Sequence, residues 1–372
     1  MKEKKCFKLL LGMLFFSFML FSCENDVNEK TEISSIETVA STYVSNMFES
    51  MNILKPRNSM ENLVEEFFSN MDIEDEHGNK ICFSDLSELE KDLLKSDWTE
   101  GFIDDLTNKL KEDDGLLELI QIENEAFNNA TKISRNKNLS QEDFIKKLMS
   151  EFERLSTKKQ TRNSSGKLKD IENDKINTSS VQKLKSVYKK GRVLVSKDSS
   201  SSSSGFGHAS IMNYDKWNPA WDNNMILKAT MTSSPIEKGG NWDGKIDGVQ
   251  EEPIGVWCGT SEGSAKNVSV LDVGKSKFVW KWFESYWSFT NASNSDYVKA
   301  ANNASDKKDK PYSEWHEMVN KKNTNSYYCS QLVWRAWYDV SSEYDLSSVS
   351  YVLPSHLITS KRSRLVTSYS NE

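Results

Sequence analysis

Apolar side chains in the first half of the chain recur at helical spacing. Ile145, Leu148, Met149, Phe152 and Leu155 fall at three- and four-residue steps and mark one face of a helix. Leu63, Val64, Phe67 and Phe68 mark another such face, and the stretches Asp85 to Leu94 and Phe102 to Leu110 repeat the style. Ser140 followed by Asp143 resembles a capping box with a shortened acid, which starts a helix there. Pro56 and Glu76-His77-Gly78-Asn79 interrupt the run. The stretch from Asp72 to Gly78 resembles a calcium loop, but its glycine comes one place late and no Glu closes it. It reads as a turn.

After residue 180 the pattern changes to short β-branched runs. Val193-Leu194-Val195, Ala209 to Met212, Met225-Ile226-Leu227, Gly248-Val249-Gln250 and Ile254 to Trp257 read as strands, separated by Gly, Asn, Asp and Pro. Ser330 to Tyr338 turns helical again, with Leu332, Val333, Ala336 and Trp337 on one face. The fold class expected is α+β, a helical amino-terminal part followed by an antiparallel sheet. Residues 157–180 are polar and nearly free of large apolar groups, which is linker composition. The serine run Ser199 to Ser204 lies between two strand-like segments and reads as a loop inside a domain.

The amino terminus carries a different signal. Lys2, Lys4, Lys5 and Lys8 precede an apolar run from Leu9 to Phe21 that is short for a bilayer span and reads as a signal-peptide core. Leu20-Phe21-Ser22-Cys23 resembles the bacterial lipobox, in which the Cys is acylated and becomes the first residue. Palmitate-type chains on Cys23 would anchor the protein to the cell membrane or outer membrane. The domain map is therefore a signal peptide at 1–22, a helical domain with its tether at 23–156, a linker at 157–180 and a second domain at 181–372.

Composition narrows the function classes. The formal charge of −7 and the lack of a basic stripe with interleaved aromatics argue against a nucleic-acid partner. Beyond Cys6 and Cys23, the cysteines are Cys82, Cys258 and Cys329. They are widely spaced, with no Cys-x-x-Cys pair and no His-rich cluster, so neither a metal site nor a cofactor is expected. A disulfide between Cys82 and Cys258 stays open at this level.

The candidate chemistry is a cysteine nucleophile. Such a thiol needs a lowered pKa, a nearby base and donors for the oxyanion. Cys329, in Tyr327-Tyr328-Cys329-Ser330-Gln331-Leu332-Val333-Trp334, stands at the expected helix start, where the dipole favours thiolate and free N–H groups face outward. His208, in Gly205-Phe206-Gly207-His208-Ala209-Ser210-Ile211, heads a strand after two glycines and is the candidate base. Taken singly, a Cys before an apolar helix is more often core, and a His beside a strand more often a structural group. His316 and His356 read as structural. Glu251 and Glu252 read as a solvated pair or pocket rim, and Trp217, Trp221, Trp242 and Trp257 as core before substrate groove.

The motif order resembles the circularly permuted papain-fold hydrolases of the NlpC-like superfamily, relatives of the lecithin-retinol-acyltransferase fold. The resemblance covers roughly residues 180–365. It begins at Gly191-Arg192-Val193-Leu194, where the family's strand usually reads Gly-Asp-Ile-Leu. It continues through the His208 motif, Asp247 to Glu251, Lys310-Pro311-Tyr312, the Cys329 motif and Val352-Leu353-Pro354-Ser355-His356-Leu357. It implies a permuted papain-like fold in which His208 activates Cys329. The family's third polar residue, commonly Glu, falls at Lys228, which cannot accept an imidazole N–H; Thr230, a carbonyl or water is left for that role. The substrates implied are a peptide, a cell-wall peptide or a lipid amide. A hydrolase fold that has become a binding module is the reading of a different class.

Overall fold

The computed structural model describes residues 30–54, 60–137, 139–160, 177–197, 207–217, 230–236, 248–259, 265–281, 285–311 and 320–371. The amino-terminal half is helical as its periodicity predicts: α1 (Lys30–Leu54), α2 (Met60–Ser69), α3 (Glu88–Glu112), α4 (Asp114–Lys137) and α5 (Gln141–Gln160). The two helical stretches expected at 85–94 and 102–110 are one helix. α3 starts at Ser87, whose hydroxyl accepts the Glu90 N–H while the Glu90 carboxylate accepts the Ser87 N–H. Leu94, Trp98, Phe102, Leu106 and Leu110, four residues apart, are its buried stripe. α5 has the capping pair read from sequence: the Asp143 N–H donates to Ser140 Oγ at 3.1 Å.

The turn expected at 72–78 joins two short strands, β1 (Ile73–Glu74) and β2 (Lys80–Ile81). Asp75 Oδ1 accepts the N–H groups of His77 and Asn79, each at 2.8 Å, which holds the turn.

The second half supplies α6 (Thr178–Val187), β3 (Val193–Ser196), β4 (His208–Met212), β5 (Thr230–Ile236), β6 (Gly248–Pro253), α7 (Gly255–Cys258), β7 (Asn267–Val279) and β8 (Tyr286–Asn291). α8 (Asn294–Ser305), α9 (Cys329–Tyr338), α10 (Pro354–Thr359) and β9 (Ser363–Ser370) complete the described elements. The protein is α+β. Its sheet runs β2-β1-β7-β3-β4-β5-β6, with β8 and β9 also on β7, and is antiparallel except where β1 joins β7. Two sequence readings change. Ile254 to Trp257 is not a strand: a helical turn, closed by Cys258 N–H to Ile254 O at 3.0 Å, follows β6 directly. Both ends of the stretch 157–180, expected as linker, are helical: α5 reaches Gln160 and α6 begins at Thr178. Met225-Ile226-Leu227 lies outside the described residues.

Alternation along the strands gives the sheet two covered faces. Val193, Val195, Ala209 and Ile211 share a core with Leu332, Val333 and Ala336 of α9. Leu194, Met212, Val268 and Val270 turn the other way, onto α6 and α7. The first core also takes in Leu94, Leu106, Phe127, Phe144 and Phe152, so the amino-terminal helices and the sheet are packed together. Arg192 forms a two-pronged pair with Asp272 on the neighbouring strand, at 2.8 and 3.2 Å. Burial alone would push the Asp272 carboxyl up. The Arg192 and Tyr297 hydrogen bonds outweigh burial and hold it below the usual carboxylate range.

Candidate active site

Cys329 is the first helical residue of α9, and Tyr328 before it has extended backbone. The helix start is clamped on several sides. The Tyr328 N–H donates to Gln331 Oε1 at 3.3 Å, and Gln331 Nε2 donates to the Lys321 and Asn323 carbonyls. Ser330 Oγ donates to Val352 O at 2.7 Å, and the Val352 N–H donates to Tyr328 Oη at 2.8 Å. Cys329 is 9% exposed, while most of the side chains that follow it on α9 are sealed in the core. First-turn N–H groups at such a position have no partner within the helix and can face a developing oxyanion.

His208 opens β4 opposite Ser196 of β3. Gly207 before it has φ +76°, and a Cβ there would lie 2.3 Å from the Ser196 carbonyl oxygen, so the approach demands glycine. The imidazole of His208 stacks on Trp257, with ring centres 5.5 Å apart and planes 16° apart. Trp257 is fully buried, and its carbonyl accepts from Tyr369 Oη at 3.1 Å and Asn371 Nδ2 at 2.8 Å.

These positions define what the fold brings together. α9 packs on β4, so the Cys329 helix and the His208 strand are direct neighbours. Strand alternation turns the His208 ring to the Trp257 side, whereas Ala209 and Ile211 face α9. Thr230 is the first residue of β5, opposite Pro253 of β6. Lys228, His316, Trp221 and Trp242 lie outside the described residues.

The other cysteines are separated from this chemistry. Cys82 is exposed and Cys258 buried, both are free thiols, and the disulfide left open by the sequence is not formed. Burial pushes the Cys258 thiol up to about 12, which leaves almost no thiolate at neutral pH. Trp217 is half-buried against Tyr188, and Glu251 is half-buried, its Oε2 accepting from Tyr214 Oη at 3.5 Å.

His356 has the structural role its sequence context suggested, with partners the sequence did not reveal. Its Nδ1 accepts the Leu353 N–H at 3.3 Å, and its Nε2 lies 3.1 Å from Glu123 Oε1 on α4. Ser355 Oγ donates to the other oxygen of Glu123. This cluster borders a cavity of about 740 Å³ between the amino-terminal helices and the stretch 345–362, lined in part by Tyr43, Ser50, Phe127 and Tyr351. Neither Cys329 nor His208 lines it. Nothing in the sequence pointed to this cluster, because Glu123 and His356 are 233 positions apart.

The chain matches no family model, no curated protein and no solved structure. Among the described residues no helix is long and apolar enough to cross a membrane, and no group of His, Cys, Asp and Glu side chains is arranged to hold a metal ion.

Proposed function

We propose that the protein is a lipid-anchored cysteine hydrolase of permuted papain-like type that cleaves amide bonds in peptides or cell-wall peptides. Cys329 is its nucleophile and His208 its base. One observation carries the reading: a helix that begins at Cys329 lies against the strand that begins at His208. With its ring turned from Trp257 toward α9, His208 takes the thiol proton, and Cys329 attacks the carbonyl and forms an acyl-enzyme while the amine departs. Water then releases the acid. The β4–β5 register sets Thr232 opposite Met212, so Thr230 lies at the end of the strand pair away from His208, and the orienting role falls to a backbone carbonyl or water. Esters, thioesters or lipid amides are the alternative substrates of the same pair. The decisive experiment is labelling with a thiol-reactive acyl probe, followed by peptide mapping. Cys329 is expected to be marked, and Cys258, with its thiol at about 12, to stay unmarked. Marking at Cys258 and not Cys329 overturns the assignment.

A binding lipoprotein is the second reading, and the stacking of His208 on Trp257 favours it. A chain whose Cys329 resists every acyl probe, yet binds peptides, supports this second reading.

The anchor is tested separately. A fatty-acid analogue fed to the producing cells is expected to label the wild type and not Cys23→Ala. Equal labelling of both removes the anchor from the proposal.

A further inference from the structure

Lys361 lies in the short link between α10 and β9, on the wall of the cavity described above. Its Nζ stands 4.6 Å from the ring centre of Phe102 and 5.4 Å from that of Trp287. Trp98 extends this shelf, with its ring centre 5.1 Å from Phe102 and 6.0 Å from Trp287. All four residues line the cavity, whose volume of about 740 Å³ falls within the range of small-molecule sites. Asp105 Oδ2 accepts from Lys361 Nζ at 2.5 Å and sits 3.2 Å from Lys109 Nζ. Two ammonium groups therefore share one carboxylate. Asp105 is nearly half exposed and keeps Lys109 as a partner when Lys361 loses its proton.

We propose that Lys361 is a reactive amine that captures hydrophobic aldehydes in this cavity as an imine. A desolvated lysine beside a second cation is the environment in which a lysine amine becomes nucleophilic near neutral pH. Burial lowers the Lys361 amine to about 8; Asp105 opposes the shift and Lys109 adds to it. The free amine attacks the aldehyde carbon and forms a C–N bond. The carbonyl oxygen leaves as water, taking up both amine protons when the product is the neutral imine. Protonation of that imine gives a cation, with Asp105 as its counter-ion. Phe102, Trp98 and Trp287 offer the apolar shelf that a hydrocarbon body would cover, which selects against small polar aldehydes.

The full-length protein is treated with hexanal and cyanoborohydride, and the alkylated lysines are mapped. Lys361 is expected to react at least about tenfold faster near neutral pH than Lys299, because burial lowers the Lys361 amine and the apolar shelf holds the aldehyde beside it. Lys299 is 64% exposed and serves as the internal reference. The Lys361 rate should level off above about 8. Glyoxylate, small and polar, should show no preference for Lys361. Lys361→Arg should lose the fast adduct while unfolding at an unchanged urea midpoint. A Lys361 rate no faster than that of Lys299, or equal preference for hexanal and glyoxylate, overturns the proposal. Neither outcome bears on Cys329, because the cavity does not include it.

Discussion

Cys329→Ala and His208→Ala are each expected to lower kcat/KM on a peptide amide by roughly three orders of magnitude or more, and the double variant little further. Nucleophile and base act in one step, so removing either removes the step, and the losses do not add. The deficit should lie in acylation, visible as a lost burst in single-turnover kinetics. Stability should change little at Cys329, where alanine removes a single sulfur atom. His208→Ala removes the stack on Trp257 as well, so its unfolding midpoint must be measured beside its rate. An additive double variant would mean that the two side chains act apart. The stacked orientation of His208 makes that outcome informative: a ring that works only on the Trp257 side of β4 serves the fold or a ligand, not the thiol.

Elements were legible in the sequence wherever a local period specified them. The Ile145 to Leu155 stripe, the Ser140 cap and the β-branched runs at 193–195 and 209–212 each carry their own signal, and each forms the expected element. Ile254 to Trp257 misled because four apolar residues fit a strand or a helical turn equally well. The joining of β1 to β7, Ile73 beside Phe278, depends on pairing across two hundred positions, for which a two-residue strand has no local mark. The candidate site shows the same division. The start of α9 at Cys329 and of β4 at His208 followed from local pattern, while the partner of the His208 ring, Trp257, depends on how β6 turns into α7. The role of Arg192 was visible only with Asp272 seen opposite, because an ion pair across strands has no local mark in the sequence.

Glu123→Ala is expected to cost about 3 kcal/mol of stability, read as a drop in the urea midpoint at constant slope. Glu123 is 7% exposed, and each of its oxygens serves a different buried donor. With Nδ1 accepting the Leu353 N–H, the His356 ring carries its proton on Nε2 and donates it to Oε1, while Ser355 donates to Oε2. Alanine removes the acceptor of both buried donors, and a buried donor that loses its partner costs about 1–3 kcal/mol. Glu123→Gln keeps one acceptor and the shape, so its loss should be about half as large. The cluster ties α4 to α10, with Tyr43 Oη of α1 bonded to Thr359 Oγ1 at 3.0 Å beside it. Because His356 is committed to this tie, His356→Ala should repeat much of the Glu123→Ala loss, and the pair should couple strongly in a double-mutant cycle. At a temperature where Glu123→Ala is folded, its Cys329 labelling should match the wild type. A lost label in a folded Glu123→Ala protein would mean that His356 and not His208 supplies the base, and the assignment would move to α10.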